Sequence, residues 1–355
     1  MKVLTIPEHC TRTHGAHCTR CQLACPAKAL SFDEAGAPVI DRDACTKCGV
    51  CIGVCDAFSS SSATALRLYD HLRKVAMRGE IVYLTCEENV FPGFEPAKNV
   101  TVLPCLACVP PELWTLLLAQ NVPVCVACDL KYCEDCPRAA QIGELLFTKA
   151  IEIAEAQTGE NVHFDREIPE YVPPVEAVVD DEFDRRAAFD SVKDDAFDII
   201  SGRRRLKQSD TLKEAYRKKE RERMREALNL SEGEYLSDAL EKGRATRVMP
   251  PRRRMLLEAY AAKPDIAENV EVAVSATDHD ACVECLDCVA RCASGARIAT
   301  KEGHLEYDAR YCVGCGACEA VCPRNAIALV EATFADLLPE GPGKPAIEPN
   351  LADYE

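Results

Sequence analysis

From Ala63 to Met77 the apolar residues Leu66, Tyr69, Leu72, Val75 and Ala76 recur at helical spacing, which predicts one amphipathic helix. The pattern then changes. Ile81 to Thr85, Val100 to Leu103 and Val122 to Val126 are short apolar runs of the kind that form strands buried on both faces. Between the last two, Pro111 to Gln120 is predicted as a helix with proline in its first turn, and a further helix is predicted from Ala139 to about Ala156. Strand, strand, helix, strand, helix with short connections implies a small parallel sheet, whose ligands collect beyond the C-terminal strand ends. Cys86, Cys105 and Cys128 stand at those ends.

The two ends of the chain alternate apolar and polar residues instead. Leu30 to Ile40 does so around Asp33, Glu34 and Gly36, and Ile298 to Tyr307 turns at Glu302 and Gly303, so each is predicted as a short hairpin. Both hairpins belong to an internal repeat. Gly15 to Cys55 and Cys282 to Cys322 align without a gap at an offset of 267, with seven cysteine positions in common. The later copy holds Cys282, Cys285, Cys288 and Cys292, then Cys312, Cys315, Cys318 and Cys322, which is C-x2-C-x2-C-x3-C written twice. The earlier copy holds Cys18, Cys21 and Cys25, then Cys45, Cys48, Cys51 and Cys55, with Gly15 in the first place. Four thiolates within eleven residues, repeated after a 19-residue spacer, suit an iron-sulfur cubane with three ligands from one loop and the fourth from the other. Each copy is expected to be a small, loop-rich unit whose core is largely inorganic, because so short a segment cannot supply the apolar area.

Composition supports metal over disulfides. The 355 residues include 23 cysteines in short-spaced clusters, not scattered as disulfide partners would be. A net charge of −16 argues against nucleic acid, whose phosphates are bound by clustered Lys and Arg. Met1 to Cys10 shows no secretory signal, and the most apolar region, Val100 to Cys128, is too interrupted for a transmembrane segment. The chain is therefore expected to be soluble and cytoplasmic, with export on a signal-bearing partner left open. Residues 165–198 hold 12 acidic against 4 basic residues, and 203–225 hold 11 basic against 4 acidic. That stretch is expected to be a charged helical linker, or else an arm that docks on a partner subunit.

Residues 10–60 and 278–330 resemble bacterial-type two-cluster ferredoxins, down to the proline after the last cysteine at Pro26 and Pro323; Asp56 and Ala293 replace it elsewhere. In that family the fourth cysteine of each run ligates the other cluster. The resemblance thus implies four 4Fe-4S clusters. One set is Cys282, Cys285, Cys288 and Cys322; a second is Cys312, Cys315, Cys318 and Cys292; a third is Cys45, Cys48, Cys51 and Cys25. Cys18, Cys21 and Cys55 then need a fourth ligand, for which Cys10 is the leading candidate and His14 and His17 the others. A three-iron cluster or an open site is the alternative. An ionised Asp56 is expected to lower the potential of the cluster held by Cys55.

Seven cysteines lie between the copies: Cys86, Cys105, Cys108, Cys125, Cys128, Cys133 and Cys136. By spacing, Cys105, Cys108, Cys125 and Cys128 fit a structural zinc site, although Cys125 within its strand should point away from Cys128. Residues 80–145 also resemble the iron-sulfur delta subunit of methyl-viologen-reducing hydrogenases, which links a hydrogenase to a heterodisulfide-reductase module. That likeness implies a 2Fe-2S cluster on Cys86, Cys105, Cys128 and Cys133, with Asn89 where the family's early second cysteine would stand. Cys108, Cys125 and Cys136 are additional candidate ligands. A third reading is a redox dithiol at Cys105 and Cys108.

No glycine-rich phosphate loop, no Ser, His and Asp pattern and no C-x3-C-x2-C motif is present. The fold class expected is multidomain α+β and α/β. Ferredoxin-like modules at 1–62 and 271–332 flank an α/β adaptor at 63–160 and a linker at 161–270, with a tail at 333–355. The function expected is that of a non-catalytic electron-transfer subunit of a multisubunit anaerobic oxidoreductase, partnered by a flavoprotein, hydrogenase or dehydrogenase. A zinc-stabilised scaffold and a catalytic disulfide-reducing subunit are the alternatives.

Overall fold

The computed structural model describes residues 2–60, 64–171, 247–300, 303–338 and 349–354. Most of the charged linker, and with it the docking arm, falls at 172–246, outside the described residues.

The middle of the chain is an α/β layer built as its pattern predicts. Helix α3 (Ala65–Ala76) starts at Thr64, whose hydroxyl accepts from the Arg67 N–H at 3.2 Å, and buries Leu68, Tyr69, Leu72 and Val75. Strands β5 (Val82–Cys86), β6 (Val100–Leu103), β7 (Val124–Ala127) and β8 (His163–Asp165) form one parallel sheet in the order β6-β5-β7-β8. The edge strand β8 is too short and too polar, with every residue exposed, to announce itself in the sequence. Helix α4 (Pro111–Ala119) buries Leu113 through Ala119 on every side. A helix apolar all round must be covered all round. The single-turn α5 (Lys131–Glu134) carries Cys133 and leads into α6 (Ala140–Thr158). Helix α6 covers one side of α4 and α7 (Pro251–Ala262) another. Full burial of Leu113, Leu116 and Leu117 contributes about 1.5–3 kcal/mol each.

Helix α7 falls in the stretch expected to be linker, yet its Met255, Leu256 and Ala259 are core residues. Its pattern is hidden because Arg253 occupies a buried position among them. The same core takes in Ile266, Val270 and Phe334 from the C-terminal part and Ala24, Cys48 and Val50 from the N-terminal part.

The repeat in the sequence is a repeat in space. Helices α1 (Arg20–Ala24) and α2 (Val50–Val54) recur as α8 (Asp287–Arg291) and α9 (Ala317–Val321), 267 residues later. The hairpin β2 (Leu30–Phe32) and β3 (Pro38–Ile40) recurs as β10 (Arg297–Ala299) and β11 (Leu305–Tyr307). Each turns at a glycine in the left-handed region, Gly36 at φ 81° and Gly303 at φ 88°. A second antiparallel pair closes each unit: β1 (Val3–Thr5) with β4 (Phe58–Ser60), and β9 (Glu271–Thr277) with β12 (Ile327–Thr333). Neither closing pair is evident in the sequence, since its strands lie at opposite ends of each copy.

Candidate iron-sulfur sites

In each copy the second cysteine run wraps a short helix whose N-terminal residue follows a left-handed glycine, Gly49 at φ 81° before α2 and Gly316 at φ 73° before α9. That turn aims the thiols of one run inward, while the hairpin returns the chain so that the last cysteine of the other run closes the group. Three cavities result. One, the Cys285 set, is lined by Cys282, Cys285, Cys288 and Cys322. The Cys315 set gathers Cys292, Cys312, Cys315 and Cys318. The Cys48 set gathers Cys25, Cys45, Cys48 and Cys51. These are the crossed quartets implied by the ferredoxin resemblance.

The remaining ferredoxin-type group, the Cys18 set, is brought together around Cys21. The charges of Cys18 and Cys10 both bear on the Cys21 thiol, and that of Cys21 bears on Cys55. Cys10 is 6% exposed and packs with Cys21 and Cys55. The His14 ring nitrogen Nε2 instead lies 3.2 Å from the Glu8 carbonyl oxygen. Of the candidates for the place of Gly15, Cys10 is the one packed with Cys21 and Cys55.

A further cavity, the Cys86 set, is in the middle domain and collects Cys86, Cys105, Cys128, Cys133 and Cys136 beyond the strand ends of the sheet. Cys125 stays within β7, where Asp165 is the charge that bears on it, and does not line the cavity. Cys108 does not line it either, and the charge of Cys48 bears on its thiol. The quartet read as zinc ligands is thus split three ways. Among the described residues no three His, Cys, Asp or Glu side chains converge to hold a single metal ion.

Buried Asn89 spans two thiols of this cavity. Its Nδ2 donates to Cys86 Sγ at 3.0 Å and to Cys128 Sγ at 3.2 Å, while its Oδ1 accepts from the Asp129 N–H at 3.0 Å. The Asp129 bond fixes which end of the amide faces the sulfurs. Shared hydrogen bonding through Cys128 draws the Cys86 thiol down to about 6, and Cys133 is lowered for the same reason.

Do these residues fit iron-sulfur clusters? Burial pushes the Cys21 and Cys288 thiols up to about 11 and the Cys55, Cys108 and Cys315 thiols up to about 12. Thiolates there need bound cations, and binding iron must release protons. Arg297 presents the complementary demand. It is 1% exposed, its Nη2 donates to Ser275 Oγ at 3.0 Å and Thr277 Oγ1 at 2.9 Å, its guanidinium lies over the Tyr307 ring at 4.7 Å from the centroid, and its Nε and Nη1 have no hydrogen-bond partner. Desolvation acts to lower its pKa, but the charges of Cys318 and Cys288 outweigh it. A buried guanidinium with two idle nitrogens is costly unless negative charge stands beside it. Anionic clusters on the Cys285 and Cys315 sets would supply that charge. Reading the cysteines alone passes over Arg297, although the repeat carries a signal for it: its counterpart in the first copy is Leu30, an apolar-to-charged exchange at a strand position.

Asp56 does not stand alone beside Cys55. Arg252 Nε lies 3.4 Å from Asp56 Oδ1, and Arg252 Nη1 lies 3.8 Å from Glu112 Oε2. Burial raises the Asp56 pKa and Arg252 opposes it. The guanidinium offsets the carboxylate that the sequence left bare.

Residues 305–328, which carry Cys312, Cys315, Cys318 and Cys322, match the 4Fe-4S binding domain family. A 4Fe-4S binding domain is present near the C-terminus. The pyruvate synthase subunit PorD of Methanothermobacter marburgensis is 42% identical over 50 residues, 14% of this chain and 57% of that relative. The subunit of the same name from Methanocaldococcus jannaschii is 40% identical over 53 residues, 15% of this chain and 62% of that relative. The chain thus spans about three-fifths of the length of the curated relatives it matches. Among the described residues no helix is long and apolar enough to cross a membrane.

Proposed function

We propose that this chain is an iron-sulfur electron-transfer subunit of a multisubunit oxidoreductase, with four 4Fe-4S clusters in its terminal modules and one further cluster in the middle domain. The Cys285, Cys315, Cys48 and Cys18 sets hold the first four. Cys86, Cys105, Cys128 and Cys133 hold the last as a 2Fe-2S cluster, with Cys136 lining the same cavity. The observation that supports this reading is the buried Arg297 between two cysteine sets, whose Nε and Nη1 have no hydrogen-bond partner and whose charge anionic occupants would offset.

When bound, the clusters accept and release single electrons. The chain's own residues hold them and tune them. Backbone N–H groups donate to ligand sulfurs, from Ala29 to Cys25 Sγ and from Ala326 to Cys322 Sγ, both at 3.3 Å. Such bonds favour the more negative oxidation level. Both PorD relatives are named as subunits of a pyruvate synthase, which supports a subunit role here; a companion of flavoprotein, hydrogenase or dehydrogenase type is part of the proposal. A reducing cytoplasm suits so many thiolates.

Iron and acid-labile sulfide analysis of protein purified without oxygen tests the reading. About eighteen irons per chain are expected, sixteen from four cubanes and two from the middle site. Stoichiometric zinc, or colourless protein, refutes it.

A further inference from the structure

The two ferredoxin-type modules, far apart in the chain, touch. A cavity between them is lined by His9, Thr11 and Asp56 from one and by Ala293, Ser294 and Val313 from the other. These residues adjoin Cys10 and Cys55 on one side and Cys292 and Cys312 on the other. Resting on the cluster reading above, we propose that the five cysteine sets stand in a single row, in the order Cys285, Cys315, Cys18, Cys48 and Cys86, locked at its middle by Arg252 and Arg253.

Each joint of the row has its own contacts. Between the first two sets lies Arg297, on which both Cys288 and Cys318 bear. Helices α8 and α9, which carry those cysteines, pack together. The second joint is the strut α7. Arg252 donates to the Gly53 carbonyl and pairs with Asp56, while its neighbour Arg253 donates through Nε to the Cys312 carbonyl at 2.7 Å. Two consecutive arginines therefore grip opposite modules, one beside Cys55 and one at Cys312. Close packing supports the same joint, since a Cβ on Gly15 would lie 3.7 Å from the Arg291 guanidinium. The third joint is the packing of α1 on α2.

The fourth joint fuses the N-terminal module to the middle domain. Gly53, between Cys51 and Cys55, sits so close to the Ala107 carbonyl that a Cβ there would collide with it. Thr46 Oγ1 donates to the Arg138 carbonyl at 2.7 Å, and α2 packs on the turn Leu106–Cys108. The row is left with two ends. One holds the exposed Cys285, and the other is the middle-domain cavity. Electrons then enter or leave at those ends, because transfer falls steeply with distance.

The test is electron paramagnetic resonance of the full chain, reconstituted and reduced without oxygen. In C282S/C285S the Cys315 set has lost its neighbour within the module, and the row expects its signal to stay broadened by coupling to the Cys18 set. Adding C18S/C21S should then narrow that signal. A narrow signal in the first variant, or broadening that survives the second, overturns the order. A chain with no iron-sulfur signal at all refutes the cluster reading, whereas full signals without coupling refute only the row. Independently of ligand variants, a protease site placed between 172 and 246 lets the folded holoprotein be cut. The two pieces should elute together from a sizing column with all their iron; separation overturns the contact between modules.

Discussion

Replacing Arg297 by leucine, the residue at the matching place in the first copy, should lower the reduction potentials of both C-terminal clusters. The guanidinium is buried and bears on Cys288 of one set and Cys318 of the other. A unit charge about 7 Å from an added electron, at an effective dielectric constant of about 20, contributes about 2.4 kcal/mol. At about 59 mV per tenfold change for one electron, that is roughly 100 mV. The Ser275 and Thr277 hydroxyls, freed from Nη2, can turn toward the sites and recover part of it, so a fall of about 50–100 mV is expected. The substitution also removes the counter-charge of both clusters and should destabilise the holoprotein. Potentiometric titration followed by resonance spectroscopy reads the first effect, and denaturant melts of the holoprotein read the second. Arg297→Lys should keep most of the potential. Unchanged C-terminal potentials in Arg297→Leu would refute the argument.

Asn89→Leu removes two donors from Cys86 and Cys128, so the middle-domain centre should fall by about 40 mV for each kilocalorie of differential hydrogen bonding, about 1 kcal/mol being expected. A potential that holds or rises in titration would contradict it. Gly53→Ala drives a methyl into the Ala107 carbonyl and should cost about 1–3 kcal/mol, seen as a lowered melting temperature, with the N-terminal module loosening from the middle domain in hydrogen exchange. Removing iron with a chelator should unfold the terminal modules first, because their cores are built largely of cysteines such as Cys10, Cys21, Cys288 and Cys318. The middle layer around Leu72, Leu84, Trp114 and Phe147 should survive. Loss of protection at the sheet amides in step with the terminal modules would contradict that division.

How much of this could be read without coordinates depended on whether the signal was local. The cysteine runs are local, and so are the hairpins at Gly36 and Gly303 and the apolar strands at Val82, Val100 and Val124, whose period survives in any context. The crossed quartets were implied by the ferredoxin resemblance and not by spacing; three cavities gather the same cysteines. Other features arose where distant segments pack. Helix α7 was hidden by Arg253, a charge that belongs to the core only because the Cys312 carbonyl receives it. Asp56 looked like a bare negative charge until Arg252 was brought from 196 residues away. Spacing made Cys105, Cys108, Cys125 and Cys128 a plausible quartet, but a strand and a helical turn sent their side chains in different directions. Residue types and loop lengths specify what each segment can bind; which charges stand beside which sulfurs depends on burial and close approach, and those exist only once the chain has folded upon itself.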